Sequence, residues 1–239
     1  MSIRTSFRRS LAALIIGGVS IVAIGCGDDV VDPVDQLAKV LFVHAAPDAG
    51  NVDVTFDDSA FANNRAFGNV TSYLTANTGP TLIELFPAGG TTAAGTLTYD
   101  FQNEKNYTVF AINDTTGAVK GLVFEDDVTP PSAGNVLFRA AHLINDAPML
   151  RMSFKQSAMG PIYDSIAFGQ NTELFRQEIP AGSYTVRFMD ASTFGPNDSV
   201  GAGTTPVLEQ TLNLEAGKIY TFAAMGSMAS PSMAVIKHN

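Results

Sequence analysis

The chain repeats itself. Leu41-Phe42-Val43-His44-Ala45-Ala46-Pro47-Asp48-Ala49-Gly50-Asn51-Val52-Asp53-Val54-Thr55-Phe56 aligns without gaps on Arg139-Ala140-Ala141-His142-Leu143-Ile144-Asn145-Asp146-Ala147-Pro148-Met149-Leu150-Arg151-Met152-Ser153-Phe154. His44 falls on His142, Asp48 on Asp146, Ala49 on Ala147 and Phe56 on Phe154. Ala66-Phe67-Gly68 then returns as Ala167-Phe168-Gly169, and Lys105-Asn106-Tyr107-Thr108 as Lys218-Ile219-Tyr220-Thr221. Landmarks kept in one order imply two copies of one structural unit, which constrains the fold before any propensity is consulted. Thr129-Pro130-Pro131-Ser132-Ala133-Gly134 lies between the copies and has the composition of a linker.

Within each copy the hydrophobic period is two. Apolar and polar residues alternate in Val52-Asp53-Val54-Thr55-Phe56, Leu150-Arg151-Met152-Ser153-Phe154 and Thr96-Leu97-Thr98-Tyr99-Asp100-Phe101, the pattern of strands with one buried face. Turn signals punctuate these runs at Pro47-Asp48-Ala49-Gly50, Asn77-Thr78-Gly79-Pro80, Pro87-Ala88-Gly89-Gly90, Pro180-Ala181-Gly182 and Glu215-Ala216-Gly217. No long amphipathic helix follows residue 25. The fold expected is all-β: two tandem immunoglobulin-like β-sandwich domains of about seven strands each. The division expected is a signal segment over 1–25, an acidic tether over 26–37, a first domain over 38–128, a linker over 129–134 and a second domain over 135–239. With 16 Phe, 6 Tyr and no Trp, the cores must be built from Phe and aliphatic side chains.

The N-terminus reads as an address. Arg4, Arg8 and Arg9 precede an uncharged apolar run, Leu11 to Ile24, which is short for a membrane span. Val22-Ala23-Ile24-Gly25-Cys26 resembles the lipobox of bacterial lipoproteins. That resemblance implies diacylglycerol attachment at the Cys26 thiol and removal of residues 1–25. Cys26 is the only cysteine, so no intramolecular disulfide and no cysteine zinc cage can form. A multiply acylated cysteine gives a stable membrane anchor. Gly27, where an inner-membrane retention signal would carry Asp, points to the outer membrane or cell surface. The following Asp28, Asp29, Asp32 and Asp35 suit a solvated tether, and lack the spacing of a calcium-binding EF-hand loop.

Phe42-Val43-His44-Ala45-Ala46-Pro47-Asp48-Ala49-Gly50-Asn51-Val52-Asp53-Val54 resembles the opening of the bacterial DUF4397 domain. Pro180-Ala181-Gly182-Ser183-Tyr184-Thr185-Val186 and Leu214-Glu215-Ala216-Gly217-Lys218-Ile219-Tyr220-Thr221 match its turn-and-strand signatures, so the resemblance spans residues 38–239 as two copies. The second copy departs where Leu143-Ile144-Asn145 follows His142. The family is one of unknown function, frequent on exported and surface proteins. The resemblance therefore implies location and architecture and no reaction.

The sequence carries little chemistry. A net charge of −9, from 14 basic and 23 acidic residues, argues against nucleic acid as a partner. Two His–Asp spacings, His44 with Asp48 and His142 with Asp146, are the best candidates for a site. A carboxylate beside an imidazole would fix its tautomer for proton transfer. A turn in which Asp and His bond the backbone is the structural reading, and a feature present in both copies favours it. No nucleophile elbow, zincin motif, phosphate loop or dinucleotide fingerprint occurs, and Gly201-Ala202-Gly203 lacks a following helix. Glu125-Asp126-Asp127 reads as a solvated acidic end, and His238 as a residue of a flexible C-terminus. Phe61, Phe67, Phe168 and Phe175 read as core or as the lining of a ligand groove, and Ser192–Pro206 as a loop open to specialisation.

The expected role is that of a lipid-anchored cell-envelope protein. It is expected to be non-enzymatic, structural, adhesive or partner-binding, without a cofactor or metal, meeting envelope proteins or glycans. The alternative is a binding protein for a small extracellular ligand, carbohydrate or cation, held by sandwich loops.

Overall fold

The computed structural model describes residues 36–155, 165–172, 178–194 and 204–239. Cys26, the four tether aspartates, Phe175 and Gly201–Gly203 lie outside the described residues, as does much of the loop between Ser192 and Pro206. The first half of the body contains β1 (Leu37–His44), β2 (Val52–Phe56), β3 (Ser59–Arg65), β4 (Leu74–Asn77), β5 (Gly79–Pro87), β6 (Gly95–Phe101), β7 (Asn106–Asn113) and β8 (Val119–Asp126). These make two four-stranded sheets, ordered β4-β1-β7-β8 and β3-β2-β5-β6. The second half contains β9 (Asn135–His142), β10 (Leu150–Phe154), β11 (Gln170–Asn171), β12 (Glu178–Pro180), β13 (Gly182–Asp190), β14 (Leu208–Leu214), β15 (Ile219–Ser227) and β16 (Ser230–Lys237). Its sheets run β11-β9-β15-β16, with β12 also on β9, and β10-β13-β14. The all-β, sandwich-like architecture expected from period two is present, with eight described strands in each half instead of about seven. No sheet among the described residues joins strands of both halves.

The repeat reappears as matching register. β1 runs parallel to β7, with Val40 beside Tyr107 and His44 beside Ala111. β9 runs parallel to β15, with Phe138 beside Tyr220 and His142 beside Ala224. The Tyr107 hydroxyl accepts the Gln102 N–H at 3.1 Å, and the Tyr220 hydroxyl accepts the Glu215 N–H at 3.1 Å. The Thr71 hydroxyl accepts the Phe42 N–H at 2.9 Å, and Thr172 does the same for Ala140 at 3.0 Å. A buried backbone donor left alone would cost about 1–3 kcal/mol, so these side chains end strand pairing without leaving orphans.

Three apolar cores follow from the strand faces. One fills the first sandwich with Val40, Phe42, Val54, Ile83, Leu85 and Tyr107. Another fills the second with Phe138, Met152, Ile179, Val186, Phe188 and Phe222. The third lies between the halves and takes side chains from both: Leu41, Val43, Phe110 and Phe124 meet Leu143, Met225 and Ile236. β1, β7, β9 and β15 are therefore buried on both faces, with Val40 and Phe42 turned into their own sandwich and Leu41 and Val43 toward the other. Strands in that position read as unbroken apolar runs, which explains Val40-Leu41-Phe42-Val43 and Val109-Phe110-Ala111-Ile112. Both halves fall within one compact unit.

The shared core has a testable consequence. Phe110 is fully buried in it, with its ring 5.4 Å from that of Phe124. Phe110→Ala is expected to destabilise the body by about 3–5 kcal/mol. Urea unfolding should remain one transition that moves as a whole. A second transition, or an unshifted midpoint, would show that the halves unfold independently.

Candidate functional site

The landmarks of the repeat converge on two equivalent corners. His44 ends β1 fully buried, and His142 ends β9 in the same state. His44 Nε2 lies 2.5 Å from the Gly50 carbonyl, while its Nδ1 accepts the Ala46 N–H at 3.3 Å. His142 repeats this with the Pro148 carbonyl at 2.9 Å and the Ile144 N–H at 3.3 Å. Accepting at Nδ1 requires a neutral imidazole protonated at Nε2. Phe67 and Phe168 close the corners edge-on, each with its ring 6.2 Å from the imidazole. Gly68 and Gly169 donate their N–H groups to the carbonyls of His44 and His142 at 2.8 Å. Both glycines sit at positive φ, 84° and 76°, where a side chain is strained.

Asp48 and Asp146 stand away from this chemistry. Both are exposed. Asp146 accepts the Met228 N–H at 2.8 Å, and the Asp48 N–H donates to Asn113 Oδ1 at 3.1 Å. No hydrogen bond among the described residues joins either histidine to its aspartate, so the His–Asp spacing is not a His–Asp pair. Both ring nitrogens of each histidine are already bonded to the backbone. Burial pushes both imidazoles below the ordinary value of 6.5, partly offset by the hydrogen bonds to Gly50 and Pro148. The geometry ties a strand end to its turn and offers no proton acceptor to a substrate. Phe67 and Phe168 cover these corners.

The strongest constellation of ionisable groups lies elsewhere, at one end of the junction. Asp126 is buried, with 1% of its side-chain surface exposed, and Arg139 retains 9%. The two form an ion pair through Arg139 Nη2 and Asp126 Oδ1. Arg139 Nη1 donates to the Glu125 carbonyl at 2.7 Å, and Nε donates to the Thr221 hydroxyl at 2.7 Å. Thr221 lies 2.7 Å from His238 Nε2, and His238 Nδ1 lies 2.7 Å from the Tyr73 hydroxyl. Tyr73 returns to Asp126 Oδ2 at 2.7 Å, where Thr108 also donates at 2.7 Å. One proton arrangement satisfies the circuit: Arg139 to Thr221, Thr221 to His238 Nε2, His238 Nδ1–H to Tyr73, and Tyr73 to Asp126. His238 is thus neutral, and burial holds it down to about 4. Burial, with the Asp126 charge, also raises the Tyr73 phenol far above its ordinary value.

This circuit corrects two expectations. Asp126 is no solvated acidic end: in β8 it shares the face of Phe124, which points into the junction. His238 is buried, and belongs to no free terminus. Period two in Phe124-Glu125-Asp126 and Ile236-Lys237-His238 already carried the signal. Thr108 and Thr221 are equivalent in the repeat, as are Asp126 and His238, yet Arg139 stands where the first copy has Leu41. The side chains of the circuit bond one another and the Glu125 carbonyl, so they latch the two halves together. Among the described residues no group of three or more His, Cys, Asp or Glu is placed to hold a metal.

Phe61 borders a cleft, together with Phe56. Its ring stacks on Phe56, with centroids 3.9 Å apart and planes 6° from parallel. The cleft, about 170 Å³, lies between the edge strands β3 and β4 of the first sandwich.

Two measurements test these assignments. All three histidines hold folded values below the unfolded 6.5, so the unfolded chain takes up protons first as pH falls. Stability should be full above about pH 6.5 and decline toward pH 4, read as a falling urea midpoint. Arg139→Leu should cost about 3–5 kcal/mol by stranding Asp126. Adding Asp126→Asn should recover part of that loss in a double-mutant cycle.

Residues 38–153 match the family model described as a domain of unknown function, DUF4397. No curated protein matches the chain. The matched stretch runs from β1 to β10 and includes His44, His142, the 129–134 linker, Asp126 and Arg139. The chain therefore carries a DUF4397 domain over residues 38–153.

Proposed function

We propose that this is a lipid-anchored bacterial cell-envelope protein whose folded body is a non-enzymatic module for structure, adhesion or partner contact. The observation that carries the reading is the position of Cys26. The only cysteine of the chain directly follows a basic start and the uncharged Leu11–Ile24 run, and precedes an acidic, Pro-containing segment. Gly27 favours placement at the outer membrane or cell surface. The body is taken as two DUF4397-like copies, 38–128 and 135–239, a reading supported by paired register and paired side-chain contacts. The buried Asp126, Arg139 and His238 at the junction are satisfied internally, which suits a rigid display element. The membrane is engaged through lipid on Cys26, and the partners are envelope proteins or glycans.

Labelled palmitate distinguishes this reading from a plain secretory signal. The full chain expressed in a bacterial host should incorporate label and partition with membranes. Cys26→Ser should lose the label and shift to the soluble fraction. Label retained in Cys26→Ser would overturn the anchor.

A further inference from the structure

We infer that the cleft at the open edge of the first sandwich binds a neutral pyranose ring, such as the terminal sugar of a glycan. This goes beyond the lipid-anchor reading and stands or falls separately from it. β3 and β4 are the edge strands of the two facing sheets, so no strand among the described residues closes the sandwich between them. The opening is bounded by the stacked rings of Phe56 and Phe61. Asp57, Ser59, Thr75, Ala76, Asn77 and Thr81 complete the lining. Ser59, Thr75 and Asn77 make no side-chain hydrogen bond among the described residues. The Asp57 carboxylate uses one oxygen to accept the Leu82 N–H at 2.8 Å, leaving the other free of that bond.

Size and chemistry narrow the ligand. A volume of about 170 Å³ falls below the 300–1,000 Å³ typical of drug-sized ligands and admits one ring. No Lys or Arg lines the cleft, so an anion would lack a counter-charge. A purely apolar ligand would leave polar groups of the lining unpaired when it displaced their water. A cation would find one carboxylate, already engaged by the backbone. A pyranose fits the remaining requirement. One face of its C–H groups can lie on an aromatic ring, and its rim of hydroxyls can both donate and accept. The amide and hydroxyls of the cleft do both, and the carboxylate accepts.

The turn between β2 and β3 fixes this arrangement. Asp57 and Asp58 sit at φ 47° and 63°, the left-handed pair of a type I′ turn. The bond from Leu82 holds Asp57 in place, so Ser59 and Phe61 leave the turn in a set direction.

The test is a titration of the full chain in a non-glycosidic detergent with methyl glycosides of glucose, galactose, mannose and N-acetylglucosamine. Glucuronate and tetramethylammonium serve as charged probes. Binding is followed by saturation-transfer NMR. At least one neutral glycoside should saturate in the millimolar range expected for about a dozen heavy atoms. Its C–H protons should receive the strongest transfer. Phe61→Ala and Asn77→Ala should each weaken binding by about tenfold. Asn77 is exposed on an edge strand, so Asn77→Ala keeps the test decisive if Phe61→Ala does not fold. The inference is overturned if no neutral glycoside saturates, if Asn77→Ala binds as the parent does, or if a charged probe is the tighter ligand.

Discussion

The body depends on four strands that have no solvent face. β1 and β7 in one half, β9 and β15 in the other, each place apolar side chains toward their own sandwich and toward the opposite half. Fully burying one large apolar side chain contributes about 1.5–3 kcal/mol. The junction gathers a dozen buried residues, so separating the halves would expose a continuous apolar face. The sandwich interiors, the corners at His44 and His142 and the register of the outer sheets all build outward from these strands.

An apolar face is permissive about register, because Leu, Val and Ala tolerate small slips. The circuit at its end is not. Arg139, Asp126, Tyr73, Thr108, Thr221 and His238 bond one another in a single arrangement, and a shift of one residue would bury unpaired charge. Breaking such a pair costs more than the pair itself contributes. The apolar contacts therefore supply the attraction, and the latch supplies the alignment.

Much of the fold was legible in the sequence. The repeat, the period of two and the Pro, Asn and Gly turns identified an all-β body with paired halves. The junction was legible too, in Val40-Leu41-Phe42-Val43 and Val109-Phe110-Ala111-Ile112, where alternation gives way to unbroken apolar residues. The latch was harder to see because its members are as much as 165 residues apart. Asp126 looks solvated beside Glu125 and Asp127 until its parity with Phe124 is counted. The His–Asp spacing misled for a related reason. Proximity along a turn fixes which atoms are available, whereas direction decides which of them meet, and the carboxylates point away. Phe61 differed from Phe67 and Phe168 only by lying on an edge strand, a property of sheet order that local pattern does not encode.

The unequal positions of the latch bear on which halves can pair. If a first half packed on a second first half, Leu41 would replace Arg139, and two Asp126 carboxylates would be buried with no guanidinium between them. Two second halves would bury two arginines without an acid. With Arg139 and Asp126 on opposite halves, the junction neutralises its charge only when unlike halves meet. The latch thereby selects which surface each half can accept as its partner.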